Sequence, residues 1–168
     1  LRTGQTPARL ARDFAYIARE QYIPEPSPMR RFARYLVLLL AFASFGAFAQ
    51  DKVVYHFDDA DAQATKGLRN IRNHLDVAPD TRIVVVTHAA GIDMLLEGAR
   101  DRKNPNIDYA SLVSALKARG VRFEVCEITL RNRNLGKDKF IMDAEFTPSG
   151  VVRIAQLQTR EQYAYIKP

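Results

Sequence analysis

The chain has 168 residues, with 25 basic and 19 acidic side chains and a net charge of +6. Residues 1–49 hold seven of the basic and three of the acidic groups, so residues 50–168 carry 18 against 16. So small a surplus gives no ground for a nucleic-acid partner, and the 119 residues from Gln50 onward suit one domain.

Met29-Arg30-Arg31-Phe32-Ala33-Arg34 is a basic stretch, and Tyr35 to Phe45 is an apolar run. Gly46-Ala47-Phe48-Ala49 follows with small residues at 47 and 49. This is the order of a secretory signal peptide, with cleavage expected after Ala49. An uncleaved anchor or a core helix is the competing reading, but the apolar run falls short of the ~20 residues that span a bilayer. The expected product is therefore exported to the periplasm and free of the membrane after cleavage. Residues 1–28 precede the methionine and contain Pro24-Glu25-Pro26-Ser27-Pro28. They are expected to be an upstream translated extension or a disordered leader. Fold reasoning starts at residue 50.

Lys52-Val53-Val54-Tyr55-His56-Phe57 predicts a strand, and Asp58-Asp59-Ala60-Asp61 supplies capping side chains. Ala60, Ala64, Leu68, Ile71 and Leu75 recur at helical spacing and predict a helix over 60–75. Residues 82–88 form the clearest strand, whose continuous Ile83-Val84-Val85-Val86 core suits burial on both faces. After the Ala89-Ala90-Gly91 turn, Ile92, Leu95, Leu96 and Ala99 predict a helix over 92–102. Asp108 is expected to cap a helix that ends near Gly120, and 121–126 is the third strand. A helix over 127–135, a short strand at 144–147, a helix after Pro148-Ser149-Gly150 and a last strand at 163–166 complete the pattern. Strands alternating with helices predict an α/β domain: a flavodoxin-like, doubly wound, mostly parallel sheet of about five strands with helices on both faces.

His56, His88 and Cys126 end three successive strands. In a parallel sheet these ends share one edge, where open α/β folds bind ligands. Cys126 is the only cysteine, so it can form no intramolecular disulfide. It is either a buried small hydrophobe or a working thiol. The helix expected after it would lower its pKa, Arg131 and Arg133 would help if they fold back, and Glu127 would oppose. Either histidine could serve as base. The backbone N–H groups of the Gly91 turn could meet an anion. A zinc or copper site of His56, His88, Cys126 and Asp58 or Asp59 competes, but no C-x-x-C or H-x-x-x-H pair supports it. No metal and no cofactor is expected. Asp58, Asp59 and Asp61 read as caps, His74 as a solvated helix residue, and Tyr109, Tyr163 and Tyr165 as core or interface residues.

Several segments in order resemble the DsrE/DsrF-like family of small sulfur-relay proteins, over residues 52–168. They are Val53-Val54-Tyr55-His56-Phe57, Asn70-Ile71-Arg72-Asn73-His74-Leu75, Val85-Val86-Thr87-His88 before Gly91, and Leu116-Lys117-Ala118-Arg119-Gly120-Val121 leading to Val125-Cys126. Pro148-Ser149-Gly150-Val151 and the Tyr163-Ala164-Tyr165-Ile166-Lys167-Pro168 tail also fit. The resemblance implies a flavodoxin-like fold, a homo-oligomer (trimer or hexamer), and a cysteine at Cys126 that accepts sulfur as a persulfide. It implies a sulfur donor and an acceptor protein or small sulfur compound as partners. His56 and His88 are the expected proton-handling groups, and Gly91, Thr129 and Asn73 the expected substrate contacts. Glu127 and Ile128 depart from the family pattern, as does Ala89-Ala90 in the turn. Two alternatives stay open: a non-catalytic oligomeric module that binds a small ligand or a partner around a structural Cys126, and a metal-binding protein.

Overall fold

Runs of branched apolar residues lie on the strands of a five-stranded sheet, and every pairing in it is parallel. The structure is a computed structural model that describes residues 50–168. The expected signal peptide over 29–49 and the segment 1–28 lie outside the described residues. Strand β1 (Lys52–Asp59) leads into helix α1 (Ala60–Val77), and β2 (Arg82–Ala90) into a 3-10 turn over Gly91–Leu95. Helix α2 (Tyr109–Lys117), β3 (Arg122–Cys126) and α3 (Glu127–Asn132) follow. A second 3-10 turn (Lys137–Lys139), β4 (Ala144–Thr147), α4 (Gly150–Glu161) and β5 (Ala164–Ile166) complete the chain.

The strand order is β4-β3-β2-β1-β5. The chain steps outward from β1 to β4, then returns through α4 to place β5 on the far side of β1. Alternation along the strands sorts the core into two layers. Val53, Tyr55, Phe57, Ile83, Val85, Phe123 and Val125 pack with α1 and α2. Val54, Val84 and Val86 face the other way, onto Ile154 and Leu157 of α4 and onto Tyr163. The sheet is thus covered on both faces, as the apolar run at 83–86 predicts.

Local chemistry sets the helix starts. Asp59 caps α1 by accepting from Ala62 N at 3.0 Å, and the Gln63 side chain reaches back to the Asp58 and Asp59 N–H groups. Asp108 caps α2, and Ser149 caps α4. The left-handed Gly120, at φ 90°, turns the chain out of α2 as its position predicts.

The helix expected over 92–102 does not form. The five-residue 3-10 turn replaces it, and Gly98 at φ 71° breaks the backbone. Glu97 N donates to Lys139 O and Ile141 N to Leu95 O, so these groups bond a neighbouring segment instead of closing helical turns. The helix expected over 127–135 stops at Asn132, with Asn134 at φ 52°. No helix among the described residues is long and apolar enough to cross a membrane.

Candidate functional site

Register places the reactive side chains together. His56 pairs with Val86 and Val86 with Glu124, so His56, His88, Glu124 and Cys126 share the α4 face of the sheet. Glu124 confirms the face by bonding Arg153 of α4 at 2.9 Å. The N-terminus of α4 lies against the strand ends. A Cβ built on Gly150 would stand 3.2 Å from Cys126 Cβ and 3.3 Å from His88 Cβ. A side chain there would press on both, and its neighbours would have to give by a few tenths of an ångström.

The two histidines touch. His56 Nε2 and His88 Nε2 are 2.7 Å apart, with ring centroids 4.7 Å apart. His56 Nδ1 is 2.7 Å from the Tyr165 hydroxyl on β5. Beside them Lys167 Nζ donates to Asp58 Oδ2 at 2.6 Å, and Asp58 Oδ1 accepts from Gln63 Nε2. Burial holds both imidazoles below their ordinary pKa. His88 adds repulsion at His56, and the opposed charges of Asp58 and Lys167 act on both rings. The hydrogen bond from Lys167 holds the Asp58 carboxyl below its usual range.

Cys126 is the N-cap residue of α3 and only 4 % exposed. Its sulfur makes no regular capping hydrogen bond. Burial pushes the thiol up and is the largest single influence. Backbone N–H groups of Gly150, Thr129 and Ile128 and the Thr129 hydroxyl outweigh it together, and the net shift is downward. These groups lie in the first turns of α3 and α4.

Glu127, expected to oppose the thiolate, is engaged by Lys137 Nζ at 2.6 Å. Arg133 does not fold back onto the sulfur. It bonds Asp93 at 2.6 Å and the Ala89 carbonyl at 3.3 Å. Arg131 acts on Glu127 instead, helping to lower its pKa after Lys137. Thr129 Oγ1 also accepts from Ala89 N at 3.1 Å, tying β2 to α3 beside the cysteine.

Thr129 is therefore at the cluster. Gly91 is buried at its edge, where a Cβ would meet Phe57 O at 2.2 Å, so this glycine serves a backbone crossing. Asn73 is exposed in the last turns of α1, which runs away from this edge, and the fold does not bring it to the others. Tyr165, Lys167 and Gly150 are the residues that sequence reading did not assign to the site. The β5 tail fits the family pattern, but its position beside β1 depends on strand order. His74 on α1 bonds the Tyr55 hydroxyl at 3.1 Å. No group of three or more metal-ligating side chains occurs among the described residues. A cavity of about 640 Å³ between α1 and α2 touches none of the cluster.

The family model described as "DsrE/DsrF-like family" matches residues 2–168. Among solved structures, a protein of unknown function from Methanobacterium thermoautotrophicum is 32 % identical. It covers 71 % of this chain and 100 % of its own, with a TM-score of 0.62. The ychN protein of E. coli is similar in fold, at 13 % identity and a TM-score of 0.58, covering 71 % of this chain and 99 % of its own. No curated protein matches the chain.

Proposed function

The chain belongs to the DsrE/DsrF-like family, and from that footing we propose that it handles sulfane sulfur on Cys126. The observation that carries this reading is the thiol itself. It is drawn below its ordinary pKa by donors from two helix starts, with two histidines on the same face of the sheet. A thiolate is the attacking form. In the proposed step the Cys126 thiolate attacks the sulfane sulfur of a donor. A bond forms between Cys126 Sγ and that sulfur, and the bond to the rest of the donor breaks. The donor fragment leaves with the electron pair, and no net oxidation occurs. The N–H groups that stabilise the thiolate are suited to stabilise the persulfide anion as well. A second thiol, on an acceptor protein or a small molecule, removes the sulfur by the same exchange.

The reading extends to the setting of the protein. Residues 29–49 act as the signal peptide, residues 50–168 are the working domain in the periplasm, and the domain assembles as a trimer or hexamer. Donor and acceptor are its partners.

The test is sulfur capture. Wild-type protein treated with polysulfide and desalted should release cyanolysable sulfur at close to one equivalent per chain, and Cys126→Ser should release none. Equal release from both proteins would refute the assignment. A second reading is favoured by the low exposure of Cys126: a non-catalytic oligomeric module in which the cysteine only packs. On that reading Cys126→Ala keeps every binding and biological activity of the protein.

A further inference from the structure

We propose that His56 and His88 share one proton as a single acid–base unit, and that the Tyr165 hydroxyl is the positioning residue fixing its outer end. This deepens the sulfur reading and, for its chemical step, rests on it.

Geometry carries the proposal. Two ring nitrogens 2.7 Å apart have room for one N–H between them. If both Nε2 atoms carried hydrogen, the donors would collide, so one ring donates while the other accepts. When the neutral pair takes up a further proton at a bare His56 Nδ1, that nitrogen changes from acceptor to donor. The partner of Nδ1 must therefore be able both to donate and to accept. A hydroxyl does this by rotating, whereas a carboxylate or an ammonium would lock one tautomer. Tyr165 Oη, 2.7 Å from Nδ1, is such a partner. The other charged or titratable groups on this face and around the pair are Asp58 on β1, Lys167 on the tail, Cys126 on β3, and Glu124 on β3 paired with Arg153 of α4. Asp58 and Lys167 neutralise each other at 2.6 Å, so neither lone charge pins the pair. Burial keeps both imidazoles neutral at neutral pH, ready to take up one proton.

The unit has a use when the sulfur donor leaves as a thiolate. Transfer from an alkyl persulfide forms the Cys126 Sγ–S bond, breaks the donor S–S bond and expels an alkyl thiolate. The proton of the donor's outer sulfur then sits on the new, acidic persulfide. The histidine pair takes that proton and hands it to the departing thiolate, so the products are a Cys126 persulfide anion and an alkyl thiol. With thiosulfate the leaving group is sulfite, and no proton is needed.

The experiment compares the two donors. Single-turnover loading of Cys126 is followed by mass for wild type, His56→Asn, His88→Asn and Tyr165→Phe, with glutathione persulfide and with thiosulfate. Both histidine variants should load at least ~10-fold more slowly from the persulfide, while thiosulfate loading stays within about twofold. Tyr165→Phe should slow persulfide loading in the same selective way. Equal slowing with both donors, or none, overturns the proposal. Imidazole NMR supplies an independent readout. In wild type the two rings should titrate as one coupled step, and in Tyr165→Phe they should separate. Independent titration in wild type would also overturn the shared proton. If Cys126 takes sulfur from neither donor, the sulfur reading and the transfer step fall together, while the titration still decides whether the pair shares a proton.

Discussion

A cysteine that is 4 % exposed would ordinarily pack as an inert small hydrophobe. Cys126 differs because nearby backbone N–H groups and the Thr129 hydroxyl lower its pKa by more than burial raises it. Its rate of alkylation by iodoacetamide should therefore reach half-maximum below the ordinary thiol value of ~8.5. Thr129→Val removes the hydroxyl donor and should move that midpoint upward; an unchanged midpoint would show that Thr129 contributes nothing. Ala89, beside it, is held at φ 49°, a left-handed conformation costly to any side chain. Its N–H bonds Thr129 and its carbonyl accepts from Arg133, so the strain is fixed by both neighbours. Ala89→Gly should relieve it and raise stability by up to about 1 kcal/mol, read by denaturant unfolding. A destabilised variant would mean that the strain is absent.

Helix α4 is the element that builds the site. Its N-terminus approaches Cys126 and His88, and further along Arg153 neutralises Glu124, which is 3 % exposed. Arg122 Nη2 lies 2.9 Å from the other Glu124 oxygen, an ion pair without a well-directed hydrogen bond. Arg153→Ala should leave much of that buried charge uncompensated and cost about 3 kcal/mol, measured by urea unfolding. A loss below about 1 kcal/mol would show that Arg122 alone suffices. The sequence made most elements legible because its apolar period switches cleanly between two and helical spacing. It misled at 92–102, where Ile92, Leu95, Leu96 and Ala99 mimic a helical stripe. There Gly98 and the backbone bonds to Lys139 and Ile141 won, and neither bond is local. His56, His88 and Cys126 were legible as a group because parallel strands end on one edge. Tyr165 was not, since it meets His56 across 109 positions through a strand order that no local pattern encodes. Asn73 shows the converse: a segment can fit the family pattern and still lie away from the cluster.

At the scale of the whole molecule, the titrations act in one direction. Both site histidines have native pKa values below their ordinary one, so near pH ~6.5 and just below it the unfolded chain binds protons that the folded protein refuses. Stability should therefore fall as pH drops through that region. Glu145 and Asp58 also have lowered pKa values. Burial opposes the shift at Glu145, but bonds from Lys117 and Arg122 prevail, while Lys167 dominates at Asp58. Their contribution is lost on further acidification, below about pH 4. Urea midpoints measured from pH 8 downward should decline in these two stages. A midpoint that rises between pH 7 and 6 would contradict the account of the histidine pair.

The central claim is that the fold presents Cys126 as an acceptor for sulfane sulfur, and intact mass tests it most directly. After treatment with a persulfide donor and removal of the excess, wild-type protein should gain the mass of one sulfur atom. Peptide mapping should place it on Cys126, and dithiothreitol should remove it. No added mass on the wild type, or the same added mass on Cys126→Ser, would contradict the claim.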